Sequence, residues 1–261
     1  MIRLRPLRPR EQRNLRHWAM ELVVVVVGVL LALWVAEWAE DRRELREVAI
    51  AEQAVRDEII YNLAGVEAWD SFEVCNAEGA ERLIALARDT GTAWPGLDAD
   101  SREAEDDTPI YRRNPFNFTL YKMRSGAWES AEANGHKALF DPEARALYDQ
   151  FHFVARELNK RDELMSAALR GLRPYQYPSA LDAAARRELT GHLLEIETNN
   201  TRIGDLAEYA RELRSEETWS AQEREAFALE VANWGEIVGP RIASRECYSV
   251  PDPELAWKVS E

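Results

Sequence analysis

Leu22-Val-Val-Val-Val-Val-Gly-Val-Leu-Leu-Ala-Leu-Trp-Val-Ala36 is fifteen consecutive residues without one polar side chain. As a helix it is roughly 22 Å long, short of a hydrocarbon core of about 30 Å. The apolar character continues outward through Trp18, Ala19 and Met20 on one side and Trp38 and Ala39 on the other. Counted from Trp18 to Ala39 the helix reaches about 33 Å, which is enough to span a bilayer. Trp18 at one end, and Trp34 and Trp38 at the other, fall where indole rings favour the lipid–water interface. Glu21 and Glu37 stand at the two boundaries, where a carboxylate still reaches water. Five consecutive valines in a frame of arginine and tryptophan read as a transmembrane helix over residues 18–39, not as a buried core helix.

Working outward toward the N-terminus, residues 1–17 form a basic segment. Residues 1–21 hold six arginines (Arg3, Arg5, Arg8, Arg10, Arg13, Arg16) against two glutamates, a local balance of +4. A basic start before an apolar run also describes a secretory signal peptide, but cleavage needs small residues at −1 and −3. A cut after Ala36 places Trp34 at −3, and a cut after Ala39 places Glu37 there. The sequence therefore predicts an uncleaved signal anchor. Positive charge stays inside, so the N-terminus is expected in the cytoplasm and the rest of the chain exported, which in a bacterium means the periplasm. Gly28, Ala32 and Ala36 recur every four residues on one face of the span. Such small-residue stripes let two membrane helices approach closely, so homodimerisation through this face is one expectation.

Working outward in the other direction, residues 40–240 are expected to form one exported helical-bundle domain, with an irregular tail over 241–261. The chain has 261 residues and net charge −14, so about −18 belongs to the part beyond residue 21. A surface that acidic excludes nucleic acid as a natural partner, because binding there requires clustered cations. It would also be repelled by anionic lipid head groups. The hydrophobic share of 46% is too high for a disordered chain. Residues 40–70 contain one glycine and no proline, with apolar residues Leu45, Val48, Val55, Ile59, Val66 and Trp69 at helical spacing. The span is therefore expected to run on as a long helix. Glu52 and Asn62 occupy slots of the same stripe, which favours a packed bundle helix over a coiled coil.

Helix character resumes over Ala80–Ala87 and stops at Asp89-Thr-Gly91. Residues 89–116 hold Pro95, Gly96, Pro109, Pro115 and an acidic run from Asp98 to Asp107, and read as a long solvated loop. The run lacks the alternation and glycine of a calcium loop. A helix is expected over about Thr119–Ala133, ending at Asn134-Gly135. Asp141-Pro142-Glu143 opens another, with Asp as cap and Pro at its first position, carrying Leu147, Phe151, Val154, Leu158 and Met165. Arg173-Pro-Tyr-Gln-Tyr-Pro178 reads as a connector, and Ser179 as the start of a long helical stretch to about Arg214. Ser220-Ala-Gln-Glu223 is a capping box for the last helix, closing at Gly239-Pro240. No segment has the period-two pattern of a strand, so the fold class is all-α.

Chemistry is sparse in the sequence. Cys75 and Cys247 lie on the exported side of this topology, where an oxidising compartment favours a disulfide closing a loop of about 170 residues. Glu188, His192 and Glu195 are spaced to share one helix face and are weak candidate metal ligands. The Glu-x-x-His order of di-iron bundles is reversed, however, and has no second copy. There is no GxSxG elbow, no phosphate-binding glycine loop and no HExxH. Tyr61, Trp69, Trp128, Tyr148, Phe151 and Phe153 read as core. No cofactor and no catalytic residue is expected. The partners expected are the lipid bilayer and either a second copy or another envelope protein.

Three segments resemble a known family. Glu21-Leu-Val…Gly28-Val-Leu-Leu-Ala-Leu33…Glu37-Trp38…Arg42 is similar to the opening of a family of bacterial single-span inner-membrane proteins known as a domain of unknown function. Glu58-Ile-Ile-Tyr-Asn62 resembles its next signature, an acid and an Asn one helical turn apart. Ala127-Trp128…Asn134-Gly135…Leu139, followed by Tyr148, resembles its central stretch. The resemblance covers about the first 160 residues and implies a fold and a topology, with no activity or cofactor. The expectation is a membrane-anchored, non-enzymatic scaffold or interaction module. A ligand-sensing exported domain acting through a partner chain, or a membrane-tethered enzyme, are the alternatives.

Overall fold

The computed structural model describes residues 9–91, 93–97, 122–216 and 218–242, and all of them that form regular structure are helical. The chain divides into two units, Met1–Ile50 and Ala51–Glu261. Helix α1 (Pro9–Arg88) contributes to both and passes without a break through residues 71–79, where the sequence alone suggested a pause. The helices that follow are α2 (Gly126–Ala133), α3 (Pro142–Gly171), α4 (Ala183–Glu216) and α5 (Ala221–Ile242). Two short 3-10 turns, His136–Leu139 and Arg173–Tyr175, join α2 to α3 and follow α3.

In the first unit every described residue from Met20 to Ala39 is exposed. This is the stretch long and apolar enough to be a candidate membrane span, and none of its most apolar window is buried. An exposed run of valines and leucines has no folding role in water, because each such side chain gains about 1.5–3 kcal/mol on leaving it.

The second unit is built on the apolar stripe of α1. Val55, Ile59, Val66 and Trp69 are all buried, whereas Leu45, at 66% exposure, is not. Lower on the same helix Ala80, Leu83, Ile84 and Ala87 join Leu172, Leu189, Leu193 and Ile196 in one cluster. Helix α4 runs antiparallel to α1, as three polar links show. Arg214 Nη1 donates to Glu67 Oε1 at 2.8 Å, Asn200 Nδ2 to the Glu73 carbonyl at 3.2 Å, and Arg186 Nη1 to the Ala87 carbonyl at 3.2 Å. Helix α3 packs along α4 and supplies Phe151, Val154, Leu158 and Met165 to the core.

Local signals set the helix starts. Asp141 Oδ1 accepts from Glu143 N and Ala144 N, with Pro142 at the first position of α3. Ser220 and Glu223 exchange the two hydrogen bonds of a capping box, at 2.8 and 3.2 Å. The start of α4 is Ala183 rather than Ser179, because Asp182 Oδ1 caps it through the backbone N–H groups of Ala184 and Ala185. Helix α4 then continues unbroken past Asn199-Asn200, and α5 continues through Gly239-Pro240 to Ile242.

Two segments differ from the expected picture. Trp94, at the start of the expected solvated loop, is fully buried and forms an isolated antiparallel bridge with Ser179. Its indole Nε1–H donates to the Tyr175 carbonyl at 2.7 Å, and Leu97 N–H donates to the Gln176 carbonyl. Gly96 lies at φ +88°, and a Cβ there would stand 2.9 Å from the Gln176 carbonyl oxygen, so only glycine fits. The acidic run of 98–107 lies outside the described residues. Of the helix expected over about Thr119–Ala133, Gly126–Ala133 is helical, residues 122–125 are irregular, and 119–121 lie outside the described residues.

Candidate functional site

Residues 122–125 are held by side chains of two helices in place of a helical ladder. Asn62 on α1 donates through Nδ2 to the Arg124 carbonyl and accepts from Arg124 N–H at Oδ1, at 2.9 and 2.8 Å. Asn159 on α3 makes the same pair with Met123, at 2.9 and 2.8 Å. Each amide thus presents one donor and one acceptor to one residue's backbone, as a neighbouring strand would. The Arg124 guanidinium lies 3.1 Å from the centre of the Tyr61 ring.

One turn N-terminal to Asn62, Glu58 caps α2. Its two carboxylate oxygens accept from Ala127 N–H at 2.8 Å and Trp128 N–H at 3.3 Å, where the helix dipole favours negative charge. His152 is 4% exposed, stacks edge-on to Trp128 at 5.0 Å, and holds Nε2 3.7 Å from Glu58 Oε1. Burial, aided by the charge of Arg156, lowers its pKa to about 4 and keeps the ring neutral. The segments 58–62 and 127–128 quoted above for their family resemblance therefore meet in one hydrogen-bonded network. Glu58, Asn62 and Asn159 are spent on holding backbone, which is a structural role, while the buried His152 Nε2 makes no hydrogen bond.

The same holds for the two ion-paired clusters. Arg56 pairs with Glu223, donates to the Tyr148 hydroxyl at 2.9 Å and lies over Trp219, joining α1, α3 and the start of α5. The Arg56 hydrogen bonds and the capping interactions of Ser220 hold the Glu223 carboxyl at about 2. Glu67 accepts from Arg214, which is 2% exposed and whose own pKa burial pushes down.

Beside the asparagine clamp lies a small groove with room for about one water molecule. Val66 and Trp69 of α1, Leu158 of α3, and Ile203 and Ala207 of α4 make its apolar walls, and among the described residues Asp162 of α3 is its one charged group. Asp162 Oδ1 is buried with no hydrogen-bond partner. Burial pushes the carboxyl up to about 6, with Glu163 adding to the shift and Lys122 opposing it. Asp162 was not singled out from sequence. Its signal was a carboxylate falling between Leu158 and Met165 in a buried helical stripe.

The residues predicted from sequence separate into three groups. Trp18, Trp34 and Trp38 are 72%, 64% and 52% exposed, and Arg42 lies over the Trp38 ring at 5.1 Å. Gly28, Ala32 and Ala36 are exposed, and a Cβ at Gly28 would meet nothing within 4 Å. Glu188 and Glu195 are exposed, with Glu188 hydrogen-bonded to the Tyr175 hydroxyl. His192 instead covers Gly171, where a Cβ would lie 2.4 Å from its ring, so this histidine packs α4 on α3. Among the described residues no group of three or more His, Cys, Asp or Glu could hold a metal ion. Of the aromatic residues expected in the core, Trp69, Trp128, Tyr148 and Phe151 are buried and Tyr61 half-buried, but Phe153 is 49% exposed. Cys247 and the side chain of Cys75 lie outside the described residues, and so does the pairing expected of them. No family model matches the chain, and no curated protein and no solved structure is similar to it.

Proposed function

We propose that the chain is a membrane-anchored interaction module without enzymatic activity of its own, sited in a bacterial inner membrane. In this reading residues 18–39 cross the bilayer, the arginine-rich start stays in the cytoplasm, and the acidic helical unit stands in the periplasm. The observation that carries it is the exposed apolar stretch of α1, where nothing from the protein covers Val23–Val27 or their neighbours. Bilayer hydrocarbon is the solvent such a surface fits. Trp38 under Arg42 supports the placing of one boundary, since an aromatic ring and a cation together suit the head-group region. The spending of Glu58, Asn62, Asn159, Arg56 and Glu67 on structure supports a scaffold over a catalyst. Kinship with the single-span family of unknown function belongs to the same proposal.

The face of Gly28, Ala32 and Ala36 is where a second copy would pack. The test is alkaline extraction and protease accessibility in inverted and right-side-out vesicles, with cross-linking in native membranes. The expected result is a carbonate-resistant protein, cut only from the periplasmic side, that cross-links to a defined partner or to itself. The self-cross-link should be lost in Gly28→Leu. Release by carbonate would overturn the anchor, and a monomer without partners would overturn the module.

A further inference from the structure

We propose that His152 and Glu58 form an acid-sensitive latch on α2, released when the His152 ring takes a proton. Glu58 of α1 holds α2 by its start, its carboxylate accepting from Ala127 N–H at 2.8 Å and from Trp128 N–H at 3.3 Å. His152 of α3 is 4% exposed, with the Trp128 ring edge-on at 5.0 Å. Its Nε2 makes no hydrogen bond and stands 3.7 Å from Glu58 Oε1. That arrangement suits a neutral ring. A charged imidazolium buried there needs an acceptor, and the carboxylate beside it is spent on α2. Either α2 gives up Glu58 or the ring reaches water, and both require α2 to lift.

The surroundings leave the outcome to that choice. Among the described residues the other charges acting on the ring are Asp149 and Arg156 of α3, Glu129 of α2 and Lys137 of the turn after it. Arg156 and Lys137 oppose the proton, whereas Glu129 and Asp149 favour it. Helix α4 meets the same small pocket with the apolar Ala210. Burial, the largest influence, holds the ring at about 4 against an ordinary 6.5. The helix that must move is eight residues long, and helices that short hold only through their packing and caps. Glu58 and His152 themselves sit on α1 and α3, which Arg56 and Tyr148 tie together at 2.9 Å, so the two can pair while α2 is away. Lifting α2 uncovers the rings of Trp128, Phe140 and Tyr148, which pack on one another. Acid thus exchanges a helix cap for an aromatic surface. The latch goes beyond the anchored-module reading and does not depend on it.

The experiment is amide exchange of the full chain in nanodiscs at pH 7.5 and pH 5, converted to opening constants so that the intrinsic pH dependence of exchange drops out. A ring shifted from 6.5 to about 4 makes opening about 25-fold more favourable at the lower pH. A rise of at least tenfold is therefore expected at Ala127 and Trp128, and a much smaller one at Leu193 and Ile196 in the core of α1 and α4. In His152→Gln, neutral at both pH values, the rise at Ala127 and Trp128 should be lost. A rise under tenfold in the native chain overturns the latch. So does one shared equally by Leu193 and Ile196, or one retained in His152→Gln. Should that variant misfold, nitrogen NMR of the native His152 ring decides. A ring protonated at pH 5.5 while α2 stays protected overturns the latch, and a ring still neutral there supports it.

Discussion

Removing the Asn159 side chain should be among the more damaging single changes outside the apolar core. Asn159 makes two hydrogen bonds, of 2.8 and 2.9 Å, to the backbone of Met123, a residue only 6% exposed. In Asn159→Ala both bonds are lost, and the Met123 N–H and C=O are left where water reaches them poorly. Two net hydrogen bonds plus part of the desolvation cost come to about 2–4 kcal/mol. With a urea dependence of about 2–3 kcal/mol per molar, the midpoint should fall by about 1 M or more. The assay is urea denaturation of the full chain in mild detergent, followed by far-ultraviolet circular dichroism, with amide exchange read at Met123 and Arg124. Asn159→Asp separates the parts, because it keeps the acceptor for Met123 N–H and turns a carboxylate toward the Met123 carbonyl. A loss under about 0.5 kcal/mol, the range of an ordinary surface change, with exchange at Met123 unaltered, would refute the clamp.

Other expectations follow from single sites. The Glu223 carboxyl sits at about 2 against 4.5 in the unfolded chain, so its contribution is complete above about 4.5 and fades as pH falls toward 2. Arg56→Met should remove most of that acid sensitivity in a denaturation series from pH 6 to 3, and retention of the full slope would contradict the assignment. His152, held neutral at about 4, contributes stability that is complete above its ordinary value of 6.5 and fades as pH falls through 6.5 to 4. His152→Gln should flatten the stability profile in that window. Asp162 has the opposite sign, since its raised carboxyl favours folding at low pH and opposes it as pH rises through about 6. Asp162→Asn should therefore stabilise the chain at pH 8, by about 1 kcal/mol after allowance for solvent screening, and a loss there would contradict the groove electrostatics. Gly96→Ala, forced to φ +88° against the Gln176 carbonyl, should cost about 1–3 kcal/mol in the same assay.

What was legible in the sequence was what is decided within a few residues. The Asp141-Pro142 start, the Ser220–Glu223 box and the apolar stripe of α1 all depend on neighbours one or two turns away, and each stands where the pattern placed it, apart from the exposed Leu45 at the head of the stripe. Residues 122–125 were misread as helix because their backbone partners, Asn62 and Asn159, come from 62 and 36 positions away. Trp94 lies in irregular chain as expected but is buried, not solvated, for the same reason, since Ser179 and Tyr175 hold it. Periodicity placed Glu188, His192 and Glu195 on one face correctly in register. It carried no information on whether a second element brings further ligands to that face, and what meets His192 is Gly171. Asp162 was passed over because a single acid among many in a helix is ordinary, and only the missing partner makes it distinct.

The pairing of α1 with the far end of the chain bears on how the protein must be made. Arg56 waits for Glu223, Glu67 for Arg214 and Ala87 for Arg186, separations of 167, 147 and 99 residues. A ribosome adding about 5–20 residues per second therefore leaves the Val55–Trp69 stripe uncovered for several seconds after it emerges. Until α3 emerges the apolar face of the first-made helix has nothing of its own to lie against, until α4 emerges it is only partly covered, and anything that shields it then acts as a folding factor. A chain broken off before Ala183 would keep its span and its first three helices, yet lack the helix that covers them.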